Sequence, residues 1–341
     1  MWRETTKHER NRRIFDEELD GFLPKRILDF HVHVFPAATL PPGGPFSCAG
    51  HSMPRYDIED LCNDLAEVYP GRETAAVCFG IPHPVYDHAS NNAYLRDACD
   101  GRRFFAFRLF DPVEDTPDTL WADLRAGRFL GIKPYPDYVR KPDVSLVEIP
   151  EMLPDWAMEI INTMGLGVML HIPRKGRLAD PLNQRHIAAL CDRYPRARIV
   201  LAHVGRAFFL KNVVGQLDSL RDYPNLYVDV AMLNHWEVLE HAFGVLDPSR
   251  VLYGTDIPIA LAPGKSVEIN DQYTYVTPVP WVLSISDDHR KLVFTSFLYE
   301  SLRAIRKAVE RLSLPEAWVR AVFYDNGMNL LAAIRTGLNT E

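Results

Sequence analysis

The chain has 341 residues, of which 47% are hydrophobic and 24% are charged, a composition typical of a globular protein with a large core. Its net charge of -7 at pH 7 argues against a general nucleic-acid-binding protein, which is normally basic. No apolar run approaches the roughly 18 residues that a membrane span requires, and residues 1–22 lack the apolar core of a secretory signal. The five cysteines are scattered and form no C-x-x-C pair, which favours reduced thiols and a cytoplasmic location.

Short apolar runs alternate with longer amphipathic segments along most of the chain. The predicted strands are residues 26–31, 74–80, 103–110, 129–135, 166–172, 198–204, 225–231 and 250–256. Helical patterns occupy residues 57–69, 88–100, 116–127, 150–165, 181–195, 207–224 and 235–246, and a longer helix is predicted around 288–312. Gly165 lies where a helix C-cap is expected.

Eight strands that alternate with helices predict a parallel sheet, because parallel strands need crossover connections. Eight such units close most naturally into a (β/α)8 barrel. An open doubly wound sheet is the alternative, but it usually has a glycine-rich first turn, which is absent here. We therefore predict an α/β protein with a TIM barrel fold. Residues 1–25 form an N-terminal arm, residues 26–341 form a single barrel domain, and residues 313–341 form closing helices.

Polar residues fall at the carboxyl ends of five predicted strands. Asp29, His31 and His33 alternate along the first strand, so their side chains share one face. The others are Lys133 at the end of the fourth strand, His171 at the fifth, His203 at the sixth and Asp256 at the eighth. Barrel enzymes build their sites at this rim, and imidazoles with a carboxylate suit Zn²⁺, Mn²⁺ or Fe²⁺. This pattern predicts a divalent metal site, with Asp29 one pleat deeper, where it either orients an imidazole or stabilises the fold.

The ordered motifs DFHVHVF, GIKPY, LHIP, LAHVGR and YGTDIP resemble those of the amidohydrolase superfamily. Within it they look like the amidohydrolase-related branch, which includes aminocarboxymuconate-semialdehyde decarboxylase-like enzymes and lactonases. The late segment FYDNGMNLL is similar to the closing helix of that branch, so the resemblance extends over residues 26–332. It implies a metal-dependent enzyme, but it is weak on the reaction, since members hydrolyse amides, esters and lactones and some decarboxylate or hydrate.

The resemblance also implies roles for the residues at the strand ends. It places His31, His33, His171 and Asp256 around one metal ion, with zinc favoured over manganese or iron and one ion favoured over two. Asp256 would also accept the proton of the attacking water. His203 would polarise the substrate or steady that water, and would approach a second ion if there is one.

Lys133 has three readings. We favour an unmodified ammonium that binds the anion of the substrate. The alternative is a carboxylated lysine that bridges two metal ions, as in binuclear relatives. A third, structural reading is a lysine stretched toward solvent.

Basic residues follow two of the predicted ligands in a protein that is acidic overall. Arg174 follows His171, and Arg206 follows His203. Because arginine binds carboxylates in two-point fashion, both are predicted to bind an anionic substrate. The neighbouring Lys175 and Arg177 are expected instead to pair with surface acids such as Asp180.

We therefore predict a metal-dependent hydrolase of a small carboxylate-bearing ester, lactone or amide, with Asp256 as the general base for an activated water. A metal-dependent decarboxylase or hydratase, that is a lyase, is the first alternative. A non-catalytic barrel that acts as a binding protein is the second. The only predicted partner is the small anionic substrate, and a homodimer is compatible with such a barrel although no segment specifies an interface.

Overall fold

The computed structural model describes residues 9–338 of the chain. Its main sheet has eight parallel strands in chain order. These strands, labelled β1 to β8, are Arg26–His33, Glu73–Phe79, Phe104–Phe110, Phe129–Pro134, Gly167–Leu170, Arg198–Leu201, Leu226–Asp229 and Val251–Leu252. The backbone N–H of Phe30 donates to Tyr253 O at 2.8 Å, and that of Asp256 donates to His31 O at 2.8 Å. These bonds join the segment after β8 to β1, so the sheet closes and the predicted (β/α)8 barrel is confirmed.

Helices surround the barrel and follow most of the strands. The longer ones are Ile58–Val68, His88–Ala98, Pro117–Arg125, Asp155–Met164, Pro181–Arg193, Trp236–Val245, Phe297–Arg311 and Asn326–Leu338. Shorter helical pieces are Glu9–Ile14, Ile149–Met152, Glu316–Arg320 and the π-helical turns Phe15–Leu19 and Ala321–Asp325. Local sequence sets their ends. Asp57 and Thr116 form capping boxes, and Gly165 adopts a φ of 66° just after Met164, as predicted for a C-cap.

Large side chains fill the barrel interior. Every residue of β3 is buried, as expected for a strand covered on both faces. Glycine is required where β4 and β5 meet: a Cβ at Gly131 would lie 2.4 Å from Gly167 O and 2.6 Å from the ring of Phe107. Phe107 thus fills the interior only because both glycines leave room for it.

Three helix predictions were wrong in their extent. Residues 207–224 form two 3₁₀ turns, Leu210–Asn212 and Asp218–Leu220, because Gly215 between them has a φ of 74° that no α-helix contains. The predicted helix at 288–312 begins only at Phe297, after the cap Ser296. The helix at 150–165 is divided before Asp155, since Pro154 cannot continue the preceding turn.

Two long segments after β1 and β8 carry small sheets of their own. After β1, Phe46–Cys48 pairs with His51–Met53 as a hairpin. After β8, a three-stranded sheet consists of Lys265–Ile269, Gln272–Thr277 and Ser284–Ser286, and we call it the β8 insertion. Its Tyr273 stacks on Phe208, which follows β6, with ring centroids 4.6 Å apart. The β8 insertion therefore covers part of the loops at the carboxyl ends of the strands.

Within the described residues, no helix is long and apolar enough to cross a membrane. All five cysteines are free, and four of them are buried. The arm ahead of β1 contacts the barrel through Glu18, which accepts a hydrogen bond from Arg303 at 2.8 Å. The boundary at residue 25 stays a prediction.

Candidate active site

The carboxyl ends of the strands open into a cavity of about 330 Å³. All six of the metal and lysine positions predicted for this rim line it: His31, His33, Lys133, His171, His203 and Asp256. Tyr135 after β4, Ile81 after β2 and Phe46 of the hairpin after β1 add aromatic and apolar wall. Residues that lie far apart in the chain are thus brought together at one mouth.

Asp256 lies against both histidines of β1. Its Oδ1 is 3.1 Å from His33 Nε2 and 3.6 Å from His31 Nε2. Burial alone would raise the pKa of the Asp256 carboxyl, but the contact with His33 and the neighbouring imidazoles of His31 and His203 outweigh it and lower the pKa to about 2. Asp256 also holds a φ of 73°, the kind of backbone strain that persists at functional sites.

Three histidines are anchored through Nδ1. His31 Nδ1 lies 2.8 Å from Asp229 Oδ2, His33 Nδ1 lies 2.7 Å from Gly80 O, and His203 Nδ1 lies 2.9 Å from Ala231 O. Each of these partners is an acceptor, so the ring proton is required at Nδ1. In a neutral ring the lone pair is then on Nε2, which is the tautomer that a metal-ligating imidazole needs.

This arrangement fits a cation. His33 Nε2 contacts the group through Asp256 Oδ1, which is 3.1 Å away. One ligand atom each from His31, His203 and Asp256 lie within 4.8 Å of one another, a spacing compatible with a shared ion. Imidazole and carboxylate ligands at this spacing could supply a metal centre.

His33 and His171 flank that group. His33 reaches it through Asp256, while the ring of His171 lies 5.5 Å from that of His203 and 4.5 Å from that of Tyr135. His171 Nδ1 is buried and has no hydrogen-bond partner among the described residues, as expected of a side chain that lacks a ligand. The compact group therefore contains His203 but neither His33 nor His171. The predicted ligand set of His31, His33, His171 and Asp256 stays a prediction.

Lys133 is fully buried in the cavity. Its Nζ lies 3.4 Å from His31 Nε2 and 4.4 Å from the ring centroid of Phe79. Burial lowers the pKa of Lys133 to about 8, while the carboxylates of Asp229 and Asp256 oppose that shift. A lysine stretched to solvent is therefore excluded, and the ammonium lies where it can meet an anion inside the cavity.

The sequence left two roles open for Asp29, and the structure shows the one that stabilises the fold. Its Oδ1 accepts hydrogen bonds from the backbone N–H groups of Thr255 at 3.0 Å and His31 at 3.1 Å, and its Oδ2 accepts from the Thr255 hydroxyl. It thus ties the segment after β8 to β1. Burial raises the pKa of Asp29 to about 7.

The residue that orients an imidazole is Asp229, which the sequence reasoning missed. Its Oδ2 holds His31 Nδ1, and its Oδ1 accepts from the backbone N–H groups of His203 at 2.9 Å and Ala231 at 3.0 Å. A usable signal was present, because Asp229 is the one charged residue in the apolar run of β7. The same signal had drawn attention to Asp29 in β1.

An unusual backbone turn carries His203 to the mouth. His203, Val204, Gly205 and Arg206 have φ angles of 56°, 49°, 64° and 57°, so this short helical piece is left-handed. Left-handed residues other than glycine cost roughly 1–2 kcal/mol each. The bond from His203 N to Asp229 helps to offset that cost, and the turn presents both His203 and Arg206 on the loop after β6.

The arginines after β5 differ from what was expected. Arg174 Nε donates to Asp180 Oδ2 at 2.9 Å, so the expectation that Asp180 pairs with Arg177 was wrong. Arg177 instead lies over the ring of Tyr273, with its Cζ 4.1 Å from the centroid. Arg206 Nη1 donates to Ile172 O at 3.0 Å. The predicted substrate contacts of Arg174 and Arg206 stay predictions, and Arg174 already has an anionic partner.

A second group with metal-ligating side chains is already neutralised. His88, Asp111 and Glu114 have ligand atoms within 4.8 Å of one another. The Arg140 guanidinium lies 2.7 Å from Asp111 Oδ2 and 2.5 Å from Glu114 Oε1. Since a protein cation already pairs with both carboxylates, the mouth of the barrel is the better metal candidate.

Comparison with known proteins gives the family. The sequence profile of the family described as Amidohydrolase matches residues 28–332. The chain therefore belongs to the amidohydrolase family, as its motifs predicted. The narrower decarboxylase-like branch stays a prediction. A search of curated proteins found no significant match.

Solved structures share the fold at low sequence identity. A zinc-bound amidohydrolase from Burkholderia multivorans is 15% identical with a TM-score of 0.58, and the match covers 90% of this chain and 99% of that one. A probable 2-pyrone-4,6-dicarboxylic acid hydrolase from Acinetobacter baumannii, with citric acid bound, is 14% identical with a TM-score of 0.56 and the same coverage. The 4-oxalomesaconate hydratase of Rhodopseudomonas palustris is 14% identical with a TM-score of 0.52, covering 92% and 98%. These likenesses establish the shared fold.

Proposed function

We propose that the chain is a metal-dependent hydrolase of a small ester, lactone or amide that bears a carboxylate. The observation that carries this proposal is the convergence of His31, His203 and Asp256 in a cavity that also holds the buried ammonium of Lys133. A cation-binding group beside a protein cation fits an anionic substrate whose reacting carbonyl lies near the ion. The family supports an enzyme of the hydrolase type.

His31, His203 and Asp256 would hold the ion, with His33 and His171 beside them. A divalent ion bound there acts as a Lewis acid toward a carbonyl group and activates water. Imidazole and carboxylate ligands suit zinc, with manganese or iron as alternatives, and the zinc bound to the Burkholderia multivorans relative supports the first choice.

The chain's own residues then divide the remaining work. Asp256, as a carboxylate at the cavity wall, accepts the proton of the attacking water and returns it to the leaving group. Lys133 binds the carboxylate of the substrate through its ammonium. Tyr135, Ile81 and Phe46 give the cavity an apolar wall that limits competing water.

Two relatives support an acidic substrate. One is named for the hydrolysis of 2-pyrone-4,6-dicarboxylic acid, and the other is named as a hydratase of 4-oxalomesaconate. Because a hydratase is a lyase, the second name also supports testing the lyase alternative.

Elemental analysis of the purified full-length chain tests the metal. We expect close to one zinc, manganese or iron per chain in the wild type and far less in His31→Ala and His171→Ala. His289→Ala, at an exposed site outside the cavity, is the matched control and should keep the metal. A wild-type protein that retains no stoichiometric metal after loading would instead support the non-catalytic binding protein.

A substrate panel tests the reaction. Lactones, esters and amides are assayed with and without a carboxylate, beside carbon dioxide release from carboxylic acids and hydration of unsaturated acids. We expect hydrolysis of acidic substrates only, and a loss of about 10²–10⁴-fold in kcat for Asp256→Asn with the fold intact. Carbon dioxide release or hydration without hydrolysis would replace the hydrolase by the lyase.

A further inference from the structure

A second cavity of about 190 Å³ adjoins the first, on the side of β4, β5 and β6. Its lining is Pro136, Val144, Ser145, Pro173, Arg174, Lys175, Arg177 and Arg206, and we call it the basic pocket. Tyr135 lines the active cavity while the next residue, Pro136, lines the basic pocket. Likewise, His171 lines the active cavity and Pro173 lines the basic pocket. Because consecutive Cα atoms are only about 3.8 Å apart, the two cavities lie side by side along the segments after β4 and β5.

The basic pocket has more cations than anions. Arg174 is paired with Asp180, which leaves Lys175, Arg177 and Arg206 without a carboxylate within salt-bridge distance among the described residues. The Nε atoms of Arg177 and Arg206 are buried and have no hydrogen-bond partner in the described part of the chain. A buried donor left unpaired costs about 1–3 kcal/mol, and an oxyanion bound by the same guanidinium groups would offset that cost.

Both arginines are held in place by strained backbone and specific contacts. Arg177 has a φ of 55° and lies against Tyr273, 4.1 Å from its ring centroid, and Phe208, 5.3 Å from its ring centroid. Arg206 has a φ of 57° and donates to Ile172 O. Left-handed arginines persist only where the surroundings enforce them, which is common where a ligand is bound.

The positive charges of Arg177 and Arg206 lie close enough to affect each other. Burial lowers the pKa of the Arg177 guanidinium, and the charge of the nearby Arg206 lowers it further, while Tyr273 opposes the shift. Arg206 Nη1 donates to Ile172 O, and Ile172 stands between His171 of the active cavity and Pro173 of the basic pocket. Arg206 therefore lies between the two cavities, and an anion beside it would be close to the candidate metal centre.

We propose that the basic pocket binds a second carboxylate of the substrate, so that the enzyme selects substrates with two acidic groups. Arg177 and Arg206 donate to this carboxylate, and the β8 insertion takes part in selection because its Tyr273 holds Arg177. This inference rests on the proposed function, which supplies the hydrolysis in the adjoining cavity. Arg177 and Tyr273 are specificity residues that the family motifs do not include.

A binding experiment tests the pocket without relying on turnover. Isothermal titration of the zinc-loaded full chain compares glutarate, which has two carboxylates, with butyrate, which has one, and with inorganic phosphate. We expect glutarate to bind about 10- to 100-fold more tightly than butyrate, as two charge-assisted bonds allow. Arg177→Gln and Arg206→Gln should abolish that preference, and Arg177→Lys should restore part of it.

Arg221→Gln is the matched control, because Arg221 is exposed and lies outside both cavities. It should bind glutarate as the wild type does, and circular dichroism should show that all variants are folded. A folded Arg177→Gln chain that still prefers glutarate would overturn the proposal. Phosphate that binds the pocket but does not compete with glutarate would also overturn it, since the pocket would then hold a free anion.

Kinetics separate this inference from the proposed function. With a diacid substrate and its monomethyl ester, Arg177→Gln should lower kcat/KM about 10- to 100-fold for the diacid through KM, and should leave the monoester nearly unchanged. Hydrolysis with no preference for the diacid would overturn the pocket and leave the hydrolase intact. A glutarate preference that depends on Arg177, in a metal-loaded chain that hydrolyses nothing, would support the anion site and remove the hydrolase.

Discussion

The two sides of the barrel mouth are built in opposite ways. On the side of β1 and β7, His31 and His33 arise from β1, and each is fixed by a buried acceptor, Asp229 or Gly80 O. On the side of the loops after β5 and β6, Arg177 and Arg206 arise from left-handed backbone, and their Nε atoms have no acceptor. The protein itself anchors the imidazoles of the first side, whereas it leaves the Nε atoms of the second side without an acceptor among the described residues.

This difference indicates a division between chemistry and selection. A metal centre requires ligands held within fractions of an ångström, which strands and their hydrogen bonds provide. Substrate selection is more easily built on loops, whose residues can change without disturbing the barrel. Three substitutions test how far this division holds.

The largest effect is expected for Asp229→Ala. This change removes the acceptor for His31 Nδ1 and for the backbone N–H groups of His203 and Ala231. We expect metal affinity to fall about 10- to 100-fold, and the free energy of unfolding to fall by about 3–5 kcal/mol, because three buried donors lose their partner. Competition with a chelator and denaturant unfolding measure the two effects.

Asp222→Ala is the control for that variant, since Asp222 is an exposed carboxylate on the loop before β7. It should change neither quantity by more than about 0.5 kcal/mol. Wild-type metal affinity in Asp229→Ala would show that the strand side of the mouth does not depend on its anchors.

A smaller effect is expected for Gly205→Ala in the left-handed turn. Gly205 has a φ of 64°, and an added Cβ would lie 2.9 Å from Leu178 Cδ1. We expect a loss of about 2–4 kcal/mol in the free energy of unfolding, the sum of backbone strain and overpacking. Urea unfolding monitored by circular dichroism measures it.

Gly215→Ala separates the two causes. Gly215 has a φ of 74°, but nothing lies within 4 Å of its added Cβ. It should therefore cost only the backbone strain, about 1–2 kcal/mol. Equal losses for Gly205→Ala and Gly215→Ala would mean that Leu178 moves away freely and that the turn is not held by packing.

The smallest effect is expected for Arg174→Gln, which breaks the partly exposed ion pair with Asp180. The free energy of unfolding should fall by less than about 1 kcal/mol. The affinity for glutarate should fall less than in Arg177→Gln, because the charge of Arg174 is already neutralised. A larger loss in Arg174→Gln than in Arg177→Gln would show that Arg174 is the main anion-binding side chain.

Much of the architecture was readable from local patterns. The eight apolar runs predicted β1 to β8 within a few residues, and the helix end at Met164 followed from the predicted C-cap Gly165. The prediction failed at residues 207–224, where an amphipathic pattern held a glycine in a left-handed conformation. A pattern of apolar residues reports burial, and it does not specify the left-handed backbone conformation at Gly215.

The sequence predicted which residues form the site better than it predicted which of them form hydrogen bonds and ion pairs with each other. The strand-end rule identified the six rim residues, because side-chain alternation and parallel strands act locally. It missed Asp229 as the partner of His31, and it chose Arg177 instead of Arg174 as the partner of Asp180. Those pairings depend on which loops lie side by side after the barrel closes.

The amino-acid sequence by itself determined the barrel, the family and the residues at its mouth, because each follows from local periodicity or from short motifs. Only the tertiary structure decided which atoms meet: His33 Nε2 with Asp256, Lys133 with His31, and Arg177 with Tyr273. The physical reason is that hydrogen bonds and charge pairs act over a few ångströms. Barrel closure and the left-handed turn at His203–Arg206 set such distances between residues far apart in the chain.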